Sequence, residues 1–245
     1  MAETTTKAVD LRDSGGLPSH TYAFYALRDL HPGEVRELLC PEDPAVLMQS
    51  VNLQLRNRLY WAVVRAGPPL WRLRVQLRED LPAASLTDLL TRDHARLDRL
   101  LACALRLANR NQLTEAEPAV GELSRAVRRH IRVENEILAP VFSAPRNLLG
   151  NDPTSIMLRE HEQILEQLSL IESCIAGGAE TRSNTTPLLA LLSGAMAKHE
   201  HREEQNLFPN WNRALALGTD ADGTAAFLRR VQSALADRET TEEDH

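Results

Sequence analysis

Two segments of the chain place a glutamate four residues after a histidine, and both end in a proline ten residues after that histidine. In HIRVENEILAP the pair is His130 and Glu134, and in HEHREEQNLFP it is His199 and Glu203. Residues four apart lie about one turn from each other on the same face of an α-helix. Each segment can therefore direct an imidazole and a carboxylate toward one point. Both groups are metal ligands, so the repeated pair predicts a site for two metal ions.

Four helices are predicted around these pairs, because apolar residues recur there at helical spacing. Two of the starts carry capping signals, a Ser-x-x-Asp sequence for the first helix and an Asp-Pro sequence for the third. The predicted starts are Ser85, Glu117, Asp152 and Pro187. The second helix is predicted to continue to Val141. Lone histidines lie on the apolar stripes of the first and third helices, at His94 and His161.

The second half of this region is close to a copy of the first. The lone histidines, His94 and His161, are 67 residues apart, and the paired ones, His130 and His199, are 69 apart. An up-down-up-down four-helix bundle brings mid-length side chains of all four helices to one level of its core. Polar groups buried there are costly unless they are paired or bound to metal. The predicted metal ligands are His94, His130, Glu134, His161, His199 and Glu203.

Each of these groups has an ordinary explanation when it is taken singly. A lone buried histidine is more often a hydrogen-bonded core residue than a ligand, and a lone His-x-x-x-Glu pair is usually solvated. The duplicated order favours the ligand interpretation. The other histidines and nearby glutamates are predicted to be surface or structural residues, off the inner face or outside the bundle. They are Glu136, Glu200, His201 and Glu204 in the first case, and His20, His31 and His245 in the second.

The ligand types restrict the metal. Imidazole with carboxylate suits iron, manganese or zinc, and the absence of thiolates from the set argues against an iron–sulfur cluster or a structural zinc site. Two bridging carboxylates and two imidazoles per ion describe a dinuclear centre, in which an oxo or hydroxo group completes the bridge and each ion keeps an open position. Ferritin-like di-iron proteins use Glu-x-x-His instead. None of the four predicted ligand histidines has a glutamate three residues before it.

Residues 82–215 resemble the hemerythrin-like HHE cation-binding domains, through RDHARLDRL, HIRVENEILAP, REHEQIL and KHEHREEQNLFP. The resemblance implies a non-haem centre of two iron ions that reacts with oxygen, nitric oxide or peroxide. Oxygen-carrying hemerythrins have a second histidine one turn after that of helix three, where this chain has Leu165. This departure disfavours reversible oxygen storage. The four-His, two-Glu set looks more like relatives linked to nitrosative stress and iron–sulfur repair, but the paired cysteines of their amino-terminal domain are missing here.

Residues 21–81 have a different texture and predict a small α+β domain after a flexible lead-in, residues 1–20. TYAFYAL, EVRELLC, LYWAVVRAG and PLWRLRVQL are predicted strands, and AVLMQSVNLQLRNR is a predicted helix. This domain weakly resembles a sulfur-carrier-like domain that accompanies di-iron domains in some bacterial proteins. Cys40 follows a strand instead of beginning a helix, so no activity is inferred. After residue 215, a short fifth helix in AAFLRRVQSALADR and an acidic tail are predicted for residues 216–245.

Composition excludes several partners and leaves two classes of function. The chain of 245 residues has a formal net charge of −6 and no basic stripe for nucleic acid or anionic lipid. No signal peptide or membrane span is recognisable, so a cytoplasmic location is predicted. The three cysteines have no CxxC spacing. The function is then either a di-iron binder, sensor or iron-handling protein, with the amino-terminal domain contacting a redox or signalling partner, or a di-iron enzyme that consumes nitric oxide or peroxide.

Overall fold

A computed structural model of the chain describes residues 7–55, 57–142 and 150–236. The chain divides into two compact units, Met1–Ala83 and Ala84–His245. The boundary predicted between residues 81 and 82 lies two residues before this division.

The first unit is a four-stranded mixed sheet with two helices. Its sheet order is β1-β2-β4-β3, in which β1 is parallel to β2 and the other neighbours are antiparallel. Alternate residues of β2 and β4, among them Leu38 and Leu73, are fully buried in one core with Met48 of the second helix. The elements are β1 (Lys7–Asp10), α1 (Ser19–Arg28), β2 (Val35–Cys40), α2 (Ala45–Gln54), β3 (Leu59–Arg65) and β4 (Trp71–Leu77).

Two predictions for this unit were wrong. TYAFYAL lies in helix α1, because its buried residues Ala23 and Leu27 are four apart and Pro18 directly precedes the first turn. Part of the predicted flexible lead-in is strand β1, which pairs with β2 although only Val9 of its four residues is buried. An edge strand needs few apolar residues, so its sequence carries little signal. The other three strands and the helix in AVLMQSVNLQLRNR are confirmed.

The second unit is helical, and its two predicted capping signals are confirmed. The Ser85 hydroxyl accepts a hydrogen bond from the Asp88 backbone N–H at 3.1 Å, and Asp152 caps its helix through Thr154 and Ser155. The helices are α3 (Leu86–Asn109), α4 (Leu113–Val133), α5 (Ala139–Phe142), α6 (Pro153–Ala176), α7 (Ala179–Arg182), α8 (Thr185–Arg202), α9 (Phe208–Gly218) and α10 (Ala221–Ala236).

Helices α3, α4, α6 and α8 form the four-helix bundle. Helix α3 packs against α4 and α8, and α6 packs against the same two, as the up-down-up-down order requires. Leu123, Leu168 and Leu192 are fully buried in their shared core. Helix α4 begins four residues before the predicted start and α8 two residues before. Within the described ranges, no helix is both long enough and apolar enough to cross a membrane.

Two π-helical turns interrupt the bundle at equivalent places. They cover Glu134–Leu138, between α4 and α5, and Glu203–Leu207, between α8 and α9. Each ends two residues before a proline, Pro140 or Pro209, whose ring would clash with the carbonyl four residues earlier in a regular helix. A wider turn relieves that clash. The predicted second helix to Val141 is therefore confirmed in its extent, since α4, the first π-turn and α5 follow one another to Phe142, but the π-turn within it was not predicted. Helix α9 was not predicted either.

The carboxyl-terminal prediction is confirmed in part. The predicted fifth helix is α10, which begins at Ala221 and buries Val231 and Leu235. The predicted tail ETTEEDH lies outside the described residues.

Candidate metal centre

All six predicted ligands meet at one level of the bundle core. Each is at most 4% exposed, and four helices and both π-turns contribute. They are His94 of α3, His130 of α4, Glu134 of the first π-turn, His161 of α6, His199 of α8 and Glu203 of the second π-turn.

One group of four ligand atoms lies between α3 and α4. The Nε2 atoms of His94 and His130 are 3.2 Å apart. His130 Nε2 is 3.3 Å from Glu134 Oε1, and His94 Nε2 is 3.3 Å from Glu203 Oε2. We call this group position A.

A second group lies between α6 and α8 and uses the other oxygen of each glutamate. The Nε2 atoms of His161 and His199 are 3.1 Å apart. His161 Nε2 is 3.2 Å from Glu134 Oε2, and His199 Nε2 is 3.3 Å from Glu203 Oε1. We call this group position B. Both carboxylates thus lie between the two positions and contribute one oxygen to each.

The spacing of these atoms fits metal ions. Two ligand atoms that each lie about 2.1 Å from one ion, at an angle of roughly 100°, are about 3.2 Å apart. Within each position, all four ligand atoms lie within 4.8 Å of one another. Both oxygens of Glu134 and of Glu203 are buried without a hydrogen-bond partner among the described residues, because their close histidine contacts lack hydrogen-bond alignment. Such carboxylates are costly to bury unless a cation satisfies them.

The residue before each lone histidine supports the paired histidine of the same half. Asp93 Oδ2 is 2.9 Å from His130 Nδ1, and Glu160 Oε2 is 3.1 Å from His199 Nδ1. A carboxylate there accepts the Nδ1–H and leaves the Nε2 lone pair facing the centre, which fixes the tautomer that a metal needs. Sequence reasoning missed both residues, although the Asp-His and Glu-His dipeptides repeat in RDH and REH.

The residue after each bridging glutamate supports the lone histidine of the other half. Glu204 Oε1 is 3.0 Å from His94 Nδ1, and Asn135 Oδ1 is 2.7 Å from His161 Nδ1. These contacts tie the halves together. They also make the positions unequal, since position A has a carboxylate where position B has an amide.

The charge balance of the metal-free centre favours protons on the imidazoles. Burial alone would lower the pKa of His94, but contacts with Glu203 and Glu204 outweigh it and raise that pKa to about 10. Burial also opposes charge on His161, whose pKa its contacts with Glu134 and Glu203 raise to about 9. Metal ions would replace these protons, because ligand imidazoles must be neutral.

The contact between His130 and Asp93 shifts the pKa values of both groups. Burial opposes the charge on His130, but Glu134 and Asp93 together raise its pKa well above the usual value. Burial likewise opposes charge on Asp93, and the His130 hydrogen bond and Arg96 outweigh it and lower the Asp93 pKa to about 2. Asp93 therefore stays an acceptor across the physiological range.

Two glutamates predicted to be surface or structural residues lie at the centre instead. Glu204 contacts His94 as described, because the wider π-turn reduces the rotation between successive residues and keeps Glu204 near the face of Glu203. Glu200 is 8% exposed, its Oε1 has no hydrogen-bond partner among the described residues, and burial raises its pKa to about 7. Sequence spacing on a regular helix places both residues off this face.

The remaining candidates lie away from the centre. Glu136 and His201 are exposed, as predicted. His20 and His31 belong to the first unit, where His20 Nε2 is 3.0 Å from Ser50 Oγ. All three cysteines are free thiols, and none is a member of either position. His245 lies outside the described residues.

Comparison with known proteins agrees with this geometry. Residues 85–211, more than half of the chain, match the family model described as "Hemerythrin HHE cation binding domain". No curated protein and no solved structure matches the chain significantly. The matched range includes all six residues of positions A and B, and the buried His/Glu cluster fits a metal-binding protein. The chain therefore belongs to the hemerythrin HHE cation-binding domain family.

Proposed function

We propose that each chain holds two iron ions, at positions A and B, and uses them to bind or sense a small diatomic molecule or peroxide. The observation that carries the proposal is the division of the four oxygens of Glu134 and Glu203 between two pairs of imidazoles. This pattern supports two ions with two shared bridges. Each position offers two imidazole nitrogens and two carboxylate oxygens, a ligand set that would suit iron and would leave it able to bind an outside ligand.

The chain's own residues prepare this chemistry. The four Nδ1 contacts hold the imidazoles in fixed orientations, and the surrounding apolar core keeps bulk water from the ligand atoms. Two adjacent iron ions, when bound, share the charge and electrons exchanged with a ligand. One turn after His161, the half-buried Leu165 supplies no further imidazole, so both positions keep the same number of protein ligands.

A binder, sensor or iron-handling protein is the form of this proposal that the surroundings support best. All three tyrosines of the chain lie in the first unit, so the bundle contains no tyrosine to relay electrons. Sustained turnover then requires an outside electron donor. We propose that the first unit contacts a protein partner in redox exchange or signalling, and that the protein acts in the cytoplasm.

Iron loading tests the metal part of the proposal. Metal-free protein incubated with ferrous iron without oxygen is expected to retain two iron ions per chain, one for each position. The double variant His130→Ala, His199→Ala is expected to retain none. His201→Ala is the matched control, because His201 lies on the same helix as His199 but is exposed. Unchanged iron content in the double variant would exclude the proposed ligands.

Addition of nitric oxide to the reduced, iron-loaded protein tests the functional class. A binder or sensor gives a single stable adduct in the optical spectrum, with no product accumulating beyond one equivalent per site. Continued consumption of nitric oxide or peroxide in the presence of a reductant would instead identify an enzyme. Both measurements require the two-iron form, so they follow iron analysis of the same sample.

A further inference from the structure

A cavity of about 120 Å³ lies between α6 and the second π-turn, in the half of the bundle that carries position B. Most of its lining is apolar, with Ile156 and Met157 of α6 opposite Leu207. An apolar cavity of roughly this size is large enough to hold a small uncharged molecule.

The cavity reaches the metal centre. Its lining includes Glu203, whose Oε1 is 3.3 Å from His199 Nε2, and Glu160, whose Oε2 is 3.1 Å from His199 Nδ1. Both contacts are to a ligand of position B. Only Glu203 and Glu160, which both contact His199, therefore lie between a molecule in this cavity and position B.

The charged groups around the cavity offset each other. Arg202 pairs with Glu160, and the remaining polar residue of the lining, Asn206, is neutral. Glu203 is directed to the ligand imidazoles. Because no unpaired positive charge lines the described wall, the cavity suits a neutral occupant better than an anion.

The equivalent positions in the first half carry buried aliphatic side chains. Residues 67 positions earlier than Ile156 and Met157 are Leu89 and Leu90, which are 7% and 0% exposed. On the opposite wall, the position 69 residues before Arg202 is Val133, at 1% exposure. The two halves thus share their ligands, but the described residues at these wall positions are more apolar in the first half, where Val133 stands in place of Arg202.

Additional packing covers position A. The ring centroid of the fully buried Phe208 is 5.1 Å from that of His94, whereas the position 69 residues before Phe208 is Ala139. Helix α9 also holds the start of α3, since Asn212 Oδ1 accepts a hydrogen bond from the Leu86 backbone N–H.

The space on the core side of the centre is small. A void of about 10 Å³ is lined there by His94 and His130 of position A, by His199 of position B and by Glu200. This volume is near the minimum for a single water molecule.

We propose that the cavity is the binding site through which a neutral diatomic molecule, dioxygen or nitric oxide, approaches the centre, and that it leads to position B instead of position A. The inference rests on the proposed function, since it needs iron at position B to be reactive. Beyond that function, the inference specifies that the diatomic molecule reaches position B and that it enters past the residues that line the cavity.

Filling the cavity tests the path. Ile156→Trp is expected to retain two iron ions per chain and to bind nitric oxide about tenfold more slowly in stopped-flow mixing, because entry then requires the protein to move. Leu170→Trp is the matched control on the same helix, since Leu170 is 50% exposed and does not line the cavity. A wild-type rate in fully iron-loaded Ile156→Trp would overturn the proposal.

A second pair of variants tests the side of approach. Asn206→Trp, at an exposed residue of the lining, is expected to slow nitric oxide binding as well. Ile137→Trp, at the position 69 residues earlier in the first half, is expected to leave the rate unchanged. Slowing by Ile137→Trp without slowing by Asn206→Trp would assign the path to position A and overturn the proposal. The same rates measured with dioxygen show which diatomic molecule uses the cavity.

Xenon tests the cavity without any reaction. Crystals of the full chain under xenon pressure are expected to show xenon beside Ile156 and Met157, and this result decides the proposal if Ile156→Trp does not retain iron. Absence of xenon there would overturn it. Failure of wild-type protein to retain two iron ions would instead contradict the proposed function, so the two failures are distinguishable.

Discussion

The two halves of the bundle present the same ligands to the centre but surround them differently. At position A, both histidine Nδ1 atoms contact carboxylates, Asp93 and Glu204. At position B, one contacts a carboxylate, Glu160, and the other the amide of Asn135. A carboxylate acceptor makes an imidazole a stronger ligand than an amide does. The two positions therefore have similar ligands but different surroundings, and we expect position A to bind metal more tightly and position B to be the more open one.

Removal of the charge on a glutamate shared by both positions is expected to have the largest effect, because both positions then lose a ligand. Glu134→Gln keeps the shape of the side chain but removes the charge that both positions share, so the iron content is expected to fall from two ions per chain to less than one. Glu136→Gln is the control, because Glu136 lies in the same π-turn and is exposed. Metal analysis after gel filtration measures the difference. Retention of two ions by Glu134→Gln would contradict a bridging role.

The buried Glu200 has an apolar counterpart, Ile131, in the first half, and this difference predicts a pH effect on the metal-free protein. Burial raises the pKa of Glu200 to about 7, above its unfolded value. Its stabilising contribution is therefore fully present below about pH 4.5 and is lost as the pH rises to about 7. Glu200→Gln lacks this loss, so its free energy of unfolding relative to wild type is expected to increase by up to about 3 kcal/mol across that range.

Urea unfolding of both metal-free proteins at a series of pH values measures this difference. If the free energy of unfolding of Glu200→Gln and of wild type depended on pH in the same way, the pKa of Glu200 would not be raised in the folded protein. Glu136→Gln, at an exposed glutamate, is expected to give a curve parallel to that of wild type.

The supporting carboxylates are expected to act on one position each. Asp93→Asn weakens the ligand His130, and Glu160→Gln weakens His199, so each variant is expected to lose about 10- to 100-fold in affinity for one of two iron ions. Competition with a chelator measures both affinities. If either variant lowered the affinities of both positions equally, each carboxylate would not act on one position only, and the prediction would be contradicted.

The smallest expected effect comes from making the halves alike. Asn135→Asp gives position B the carboxylate support that Glu204 gives position A, and it is expected to raise the affinity of the weaker position by less than about tenfold. Glu204→Gln is the reverse change and is expected to weaken position A. Titrations in which neither variant changes the separation between the two binding steps would refute the proposed origin of the asymmetry.

The sequence was sufficient for the bundle and for the six residues that meet in its core, because helical spacing places His130 and Glu134, and their copies, on inner faces. It was insufficient where the backbone departs from a regular helix. Glu204 reaches His94 through a π-turn that spacing alone does not reveal. The cavity depends on how side chains of α6 and the second π-turn pack in the folded bundle, which the sequence pattern does not show. In the first unit, the texture of TYAFYAL suggested a strand, but the segment is a helix whose buried residues Ala23 and Leu27 are four apart.

Stepwise addition of ferrous iron to the metal-free protein, followed by Mössbauer spectroscopy, tests the central claim most directly. The geometry predicts saturation at two iron ions per chain, with the signal of one position filling before that of the other. Saturation at a single ion, or no retained iron, would contradict a dinuclear centre bridged by Glu134 and Glu203.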